Sequence, residues 1–342
     1  MKVTVIVPCR NEERYIGACL DSIVSSSWPH DRLEVLVVDG QSDDATCRIV
    51  QEYASRHAWI RLIDNPDRIV PAALNRAIRR AGGDVIVRMD AHVVYPADYL
   101  PRLVQALVES GADNVGGRIV TQPANERPLA RAIAIALAHP FGVGNAWFRI
   151  GANTPREVDT VPFGCYRRDA FARYGLFDER LVRNQDDEFN HRLIRRGGRI
   201  LLVPDVVAHY YARDSLRKLA RMYYQYGYFK PLVAKCVRRI MTLRQLIPAI
   251  FVAALIGLAL AAPLVPAAGL AWLLIAGSYA ATVATVSAAA LRRHGLRVGL
   301  GLGLAFPVLH LSYGFGFLRG LRHLLPGQAQ PAARAASIPL SR

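Results

Sequence analysis

The chain has 342 residues, 52% of them hydrophobic, and carries a formal net charge of +16. That length allows one large domain or two ordinary ones, and the apolar share is high for a wholly soluble protein. The five cysteines are scattered and odd in number. They exclude a disulfide-stapled scaffold and read as reduced thiols.

The opening "MKVTVIVPCRNEE" turns polar after seven residues, so it reads as a strand and not as a signal peptide. Glu12–Ser26 follows, with Tyr15, Ile16, Cys19, Leu20 and Ile23 at helical spacing. "EVLVVDG" predicts a second strand, followed by a helix through Ile49, Val50 and Tyr53. "WIRLIDN" predicts a third. "PAALNRAIRRAGG" then has Pro at its start and Gly at its end, as helices prefer. "DVIVRMD" predicts a fourth strand, with a helix in "ADYLPRLVQALVES". Strands this continuously apolar are buried on both faces, which predicts a mostly parallel α/β sheet covered by helices. Ligands of such sheets sit beyond the carboxyl ends of the strands, where Asp39, Asp64 and Asp90 fall. Past residue 120 the pattern loosens into an apolar helix and a Gly, Pro and Asn-rich loop. "VDTVPFGCYRR" reads as a strand, "NQDDEFNHRLIRRGG" as a helix opening on acids, and "RILLVPD" as a last strand.

Residues 213–244 hold nine Lys or Arg and one Asp, interleaved with Tyr223, Tyr224, Tyr226, Tyr228 and Phe229. Directly after them, Gln245 to Leu291 contains no Asp, Glu, Lys or Arg, and Val298 to Leu318 is uncharged apart from His310. A membrane crossing takes about 20 apolar residues, so the first tract fits two crossings, with Pro263 and Pro266 at the turn, and the second fits one. A basic, aromatic run in that place favours anionic membrane lipids over nucleic acid. The expected organisation is a catalytic domain at 1–210, a membrane-interface segment at 211–244, about three transmembrane helices within 245–320 and a disordered tail at 321–342. Three crossings from a cytoplasmic domain keep Arg292, Arg293 and Arg297 inside but put Arg319 and Arg322 outside, against the positive-inside tendency. Gly301, Gly303 and Pro307 leave a re-entrant last segment as the alternative.

Asp90 and His92 end the fourth strand one residue apart. Alternate residues of an extended chain point the same way, so the two can converge on a metal ion; the plainer alternative is a polar strand end meeting water.

In order along about residues 3–210, "VTVIVPCRNEE", "VVDGQSDDAT", "DNPDRIVPAALNRAIRRAGGDVIVRMDAH" and "GLFDERLVRNQDDEFNHRLIRRGG" resemble the family-2 glycosyltransferases and their GT-A fold. The DAH wording and the apolar C-terminus are most similar to the bacterial exopolysaccharide (succinoglycan-type) branch. The resemblance implies an inverting, membrane-anchored enzyme with its catalytic domain on the cytoplasmic side of the inner membrane. It would move a sugar from a nucleotide-diphosphate donor to a lipid-linked (polyprenyl) saccharide during surface polysaccharide synthesis. It implies donor contacts from Pro8, Arg10, Glu12 (ribose), Asp39 (base), Asp43 and Asp90, and Mg²⁺ or Mn²⁺ held by Asp90 with His92 and His209. Phe163, Gly164 and Cys165 would floor the acceptor site, and Arg213 and Lys218 would reach a lipid pyrophosphate. The family's Glu-Asp pair aligns with Gln185 and Asp186, making Asp186 the general base, with Asp187 the alternative. The chain departs from the pattern at His92 and Gln185, where the family more often has acids, and has no QxxRW motif of processive synthases. Two other readings stand beside this one: a polyprenyl-phosphate sugar synthase, and a non-catalytic membrane-bound sensor of nucleotide sugars.

Overall fold

A computed structural model describes residues 1–238 and 242–325; most of the expected tail lies outside the described residues. The elements in chain order begin with β1 (Val3–Cys9), α1 (Ile16–Val24), β2 (Leu33–Asp39), α2 (Thr46–Arg56), β3 (Ile60–Asp64), α3 (Val70–Arg80), β4 (Val85–Arg88), β5 (Val93–Val94) and α4 (Tyr99–Ser110). Then come β6 (Asn114–Gln122), α5 (Pro128–Ala138), α6 (Pro140–Val143), α7 (Trp147–Ile150), β7 (Arg156–Glu157), β8 (Cys165–Arg167), α8 (Asp169–Tyr174), α9 (Gln185–Arg195) and β9 (Ile200–Tyr211). The remainder is helical: α10 (Leu216–Val237), α11 (Leu243–Ala261), α12 (Pro266–His294) and α13 (Leu296–Gly320).

The chain forms two units. The first comprises residues 1–120 and 147–210. Its sheet runs β3-β2-β1-β4-β8-β6-β9-β5, with β7 pairing β9. β3, β2, β1 and β4 are parallel, and β2 is buried at every position, as a strand covered on both faces must be. β8 then runs antiparallel to β4 and to β6, and β5 antiparallel to β9, so the sheet is mixed. β6 has no counterpart in the sequence reading. Its glycines break the apolar run, yet a Cβ at Gly117 would lie 2.3 Å from the Val206 carbonyl oxygen. Glycine lets β6 lie that close to β9.

The second unit comprises residues 121–146 and those from 211 onward. Residues 121–146, expected within the 1–210 domain, instead pack with the C-terminal helices. The reason is α5, an almost wholly apolar helix whose Ala132 would touch any Cβ placed at Gly301 of α13, at 2.9 Å. Three helices, within Leu243–Ala261, Pro266–His294 and Leu296–Leu324, are long and apolar enough to cross a membrane. The prolines expected to bend the chain flank the turn between α11 and α12. The third of these helices is continuous despite Pro307, and His310 within it bonds the Phe141 carbonyl and the Tyr279 hydroxyl, each at 2.9 Å.

The aromatic run at 223–229 requires a correction. Tyr228 and Phe229 are buried, because α10 lies backbone to backbone against α13. A Cβ at Gly227 would sit 2.0 Å from the Tyr313 oxygen, and one at Gly316 2.1 Å from the Tyr224 oxygen. These rings fill a helix interface. At the other end of the last helix, Leu321–Leu324, expected as part of the disordered tail, forms a 3-10 turn.

Candidate functional site

The parallel strands deliver their carboxyl ends to one edge of the first unit. Cys9, Asp39 and Asp64 stand in register there, at the last residues of β1, β2 and β3. Asp39 is buried. Its Oδ1 accepts the Ser42 hydroxyl at 2.5 Å and its Oδ2 the Ser42 amide at 2.9 Å. The turn after β2 is thereby fixed, and Gly40 leaves only 3.3 Å between an added Cβ and the Arg10 side chain. Pro8 pairs with Val38 one residue earlier in the same register. Asp43 is exposed, its amide held by Asn11 Oδ1 at 3.0 Å. Asp44, not Asp43, accepts the Thr46 amide and hydroxyl that open α2. Burial, then Asp39, pushes the neighbouring Cys47 thiol up to about 11, so it stays protonated and unreactive at neutral pH.

Asp90 and His92 come together by a different local geometry from the one expected. β4 stops at Arg88, and Asp90-Ala91-His92 forms a turn closed by the Val93 amide on the Asp90 carbonyl at 3.2 Å. The turn is pinned from beneath. The Asp90 amide donates to the Tyr95 hydroxyl at 2.7 Å, and Tyr95 packs edge-on against Phe163. His92 Nδ1 lies 3.4 Å from Glu12 Oε1. Glu12, expected at the ribose, thus faces His92, and its own amide is held by the Thr46 hydroxyl at 2.7 Å.

Arg88 is the residue that sequence reasoning missed. It binds Asp90 through both nitrogens of its fork, Nε to Oδ1 at 2.8 Å and Nη2 to Oδ2 at 3.2 Å. Burial works against the ionised form of Asp90, but Arg88, then His92 and Arg183, outweigh it and hold the carboxyl below the usual carboxylate range. Burial likewise opposes the Arg88 charge, and Asp90 followed by Asp186 overcomes it. Asp186 therefore belongs to the same electrostatic cluster as Asp90, with the Tyr166 ring beside both Arg88 and Asp186. A lone arginine in the apolar run "VIVRMD" was the available signal.

The acids of α9 separate into different roles. Glu188 is buried and grips Arg192 one turn on, at 2.9 and 2.8 Å; Arg192 in turn bonds the Leu176 carbonyl at 2.8 Å. Asp186 Oδ1 accepts the Asp187 amide at 3.0 Å. Gly164 sits beside Arg88, whose amide donates to its carbonyl at 3.0 Å. Nothing larger fits there, since a Cβ would meet the Tyr166 ring at 2.4 Å. Phe163 adopts φ +49° to enter this turn. Cys165 requires a correction as an acceptor contact: it lies fully buried in β8, opposite Val87 and Val115.

His209, expected as a further ligand, lies on β9. It sits opposite Val94 while its neighbour Tyr210 sits opposite Val93, and strand alternation sends the two side chains to opposite faces. Tyr210 is the one whose ring meets His92, at 5.4 Å. Among the described residues no three His, Cys, Asp or Glu side chains converge as a metal cage. The pair Asp90 and His92 nevertheless fits a partial site: a carboxylate kept ionised, and an imidazole whose buried Nδ1 has no hydrogen-bond partner. Carboxylate oxygen suits Mg²⁺, and Mn²⁺ accepts imidazole as well. Arg213 and Lys218 lie in the second unit. Lys218 pairs with Asp214 at 2.9 Å, and its amide is capped by Ser215 at the start of α10.

The family model for glycosyl transferase family 2 matches residues 4–175. The succinoglycan biosynthesis protein ExoA of Rhizobium meliloti is 32% identical over 93% of this chain and 94% of its own length. The dolichyl N-acetyl-alpha-D-glucosaminyl phosphate 3-beta-D-2,3-diacetamido-2,3-dideoxy-beta-D-glucuronosyltransferase of Methanococcus voltae is 28% identical over 68% of this chain and 74% of its own length. Among solved structures, the mannosyltransferase PcManGT from Pyrobaculum calidifontis, in complex with GDP-Man and Mn²⁺, is 25% identical, with a TM-score of 0.58 over 90% of this chain and 87% of that one. The S. aureus TarS fragment 1–349 with UDP-GlcNAc aligns at a TM-score of 0.53 and 19% identity over 92% and 90%, which speaks to the fold alone.

Proposed function

The chain belongs to glycosyl transferase family 2, a glycosyltransferase of GT-A fold followed by apolar helices, and on that premise we propose that it inverts a sugar from a nucleotide-diphosphate donor onto a lipid-linked saccharide. A transferase leaves no place for the non-catalytic sensor. The observation that carries the reading is the cluster of Asp90, Arg88 and Asp186, which brings the donor-side acid and the acceptor-side acid into one electrostatic group. The polyprenyl acceptor is supported by the helices long enough to cross a membrane and by the dolichyl-linked substrate in the name of the Methanococcus relative. A place in surface polysaccharide assembly is supported by the likeness to ExoA, a succinoglycan biosynthesis protein by its name.

Asp39 and Glu12 take the base and ribose of the donor, with Pro8, Arg10 and Asp43 around them. Asp90, with His92 beside it, would hold Mg²⁺ or Mn²⁺. The bound ion supplies positive charge to the departing diphosphate. Asp186 takes the proton of the acceptor hydroxyl, whose oxygen then bonds the anomeric carbon as the bond to the nucleoside diphosphate breaks. Phe163 and Gly164 shape the acceptor side through their turn. One base and one in-line attack leave no second displacement. The anomeric proton of the product, read by NMR, is therefore expected to be β from an α-linked donor; a retained α linkage overturns the mechanism.

A further inference from the structure

Both oxygens of Asp90 are already engaged, at 2.8 and 3.2 Å, by a single guanidinium. This is no surface pair: the Arg88 and Asp90 side chains are 14% and 17% exposed. Arg88 is also anchored by its backbone, its amide on the Gly164 carbonyl at 3.0 Å. A divalent cation needs a lone pair on one of the oxygens that Arg88 already holds, so two positive charges draw on one carboxylate and each weakens the other's hold.

We propose that Arg88 is a resident counter-ion, which occupies Asp90 in the donor-free enzyme and gives it up to the metal when the donor arrives, turning its guanidinium to the donor's diphosphate. The inference rests on the reading of Asp90 as the metal-holding acid. Its physical basis is that an arginine this largely enclosed is poorly left without an anion, since removing one partner of such a pair is unfavourable. A diphosphate answers that need, because the planar fork of arginine matches phosphate oxygens two at a time. Asp186 keeps the guanidinium in a negative field during the exchange. Metal alone must therefore break the pair without compensation, whereas metal with a nucleoside diphosphate gives Arg88 a new partner. Arg88 in this way ties metal binding to donor binding, and its place two residues before the metal acid follows from the turn at 90–92.

The test uses the full-length protein in detergent, with Mn²⁺ as the probe and free Mn²⁺ counted by electron paramagnetic resonance, with and without UDP or GDP. Arg88→Met is expected to bind Mn²⁺ alone on the order of tenfold more tightly than the unaltered protein, because the competitor is gone. With Mn²⁺ saturating, it is expected to bind the nucleoside diphosphate about tenfold more weakly, for want of the fork. Arg88→Lys, a charge without the fork, is expected to fall between on both. Melting curves guard against misfolding: Mn²⁺ should raise the melting temperature of Arg88→Met by more than it raises that of the unaltered protein. A merely structural arginine gives the opposite, weaker Mn²⁺ binding in both variants, and that result overturns the proposal; if Arg88→Met does not fold, Arg88→Lys decides alone. Failure of the metal reading itself looks different, with no Mn²⁺ bound by the unaltered protein even beside UDP or GDP.

Discussion

Three acids in a row at the start of α9 offer three candidates for one proton, and their surroundings sort them. Glu188 is spent on Arg192. Asp186 acts on Arg88 and Tyr166, while Asp187 accepts from His191 Nδ1 at 2.9 Å through its backbone carbonyl. Asp186→Asn keeps the shape of the helix start but cannot take a proton. Transfer is expected to fall about 10²–10⁴-fold while donor affinity holds. Asp187→Asn is the control, and if it alone is silent the base is one residue further on. At this scale Asp39 was legible because a strand's last residue in a parallel sheet faces the ligand side. Asp90 and His92 were brought together in sequence by alternation and in space by a turn, since the strand ends two residues early. The burial of Cys165 and the register of His209 were not legible, because sequence does not say which neighbour a strand will pair with, and pairing decides where each side chain points. Arg88 escaped notice because a single charge does not disturb an otherwise apolar strand pattern.

Periodicity and punctuation read the helices of the parallel half well. α3 has Pro in its first turn as anticipated, and α4 ends on Gly111 at φ +61°, where an added side chain would be strained. The reading failed where backbone contact replaced side-chain pattern. β6 carries paired glycines that look like a loop and are required for its approach to β9. α10 looked like a lipid-facing aromatic stripe, yet its glycine meets α13. That contact yields a sharp expectation: Gly227→Leu places a branched side chain where a Cβ alone would come within 2.0 Å of the Tyr313 oxygen. The helices must part, at a cost of about 1–3 kcal/mol or more. A lowered melting temperature in detergent checks it, and an unchanged one contradicts the α10–α13 contact. His310, the one histidine in its uncharged tract, is accounted for by packing, since both its ring nitrogens are bonded within the helical unit.

For the molecule as a whole, patterning and composition separate an α/β part from a helical part, because 47 uncharged residues (245 through 291) have no place in a soluble core. It did not reveal that residues 121–146 cross to the helical unit, since an apolar helix of 11 residues looks the same whether it packs on a sheet or on other helices. Charge follows the same division: from Ser215 to the last residue there is no Asp or Glu, which suits an anionic membrane surface. The central claim is that this transferase joins a nucleotide-activated sugar to a saccharide carried on a membrane lipid. It is tested most directly with the purified protein in liposomes holding a polyprenyl-linked saccharide extract, offered a panel of radiolabelled UDP-, GDP- and dTDP-sugars with and without EDTA. Label is expected to enter the organic phase from at least one donor, only in the presence of the saccharide-bearing lipid and of Mg²⁺ or Mn²⁺. Label that enters on bare polyprenyl phosphate, or that never leaves the aqueous phase with any donor, would contradict it.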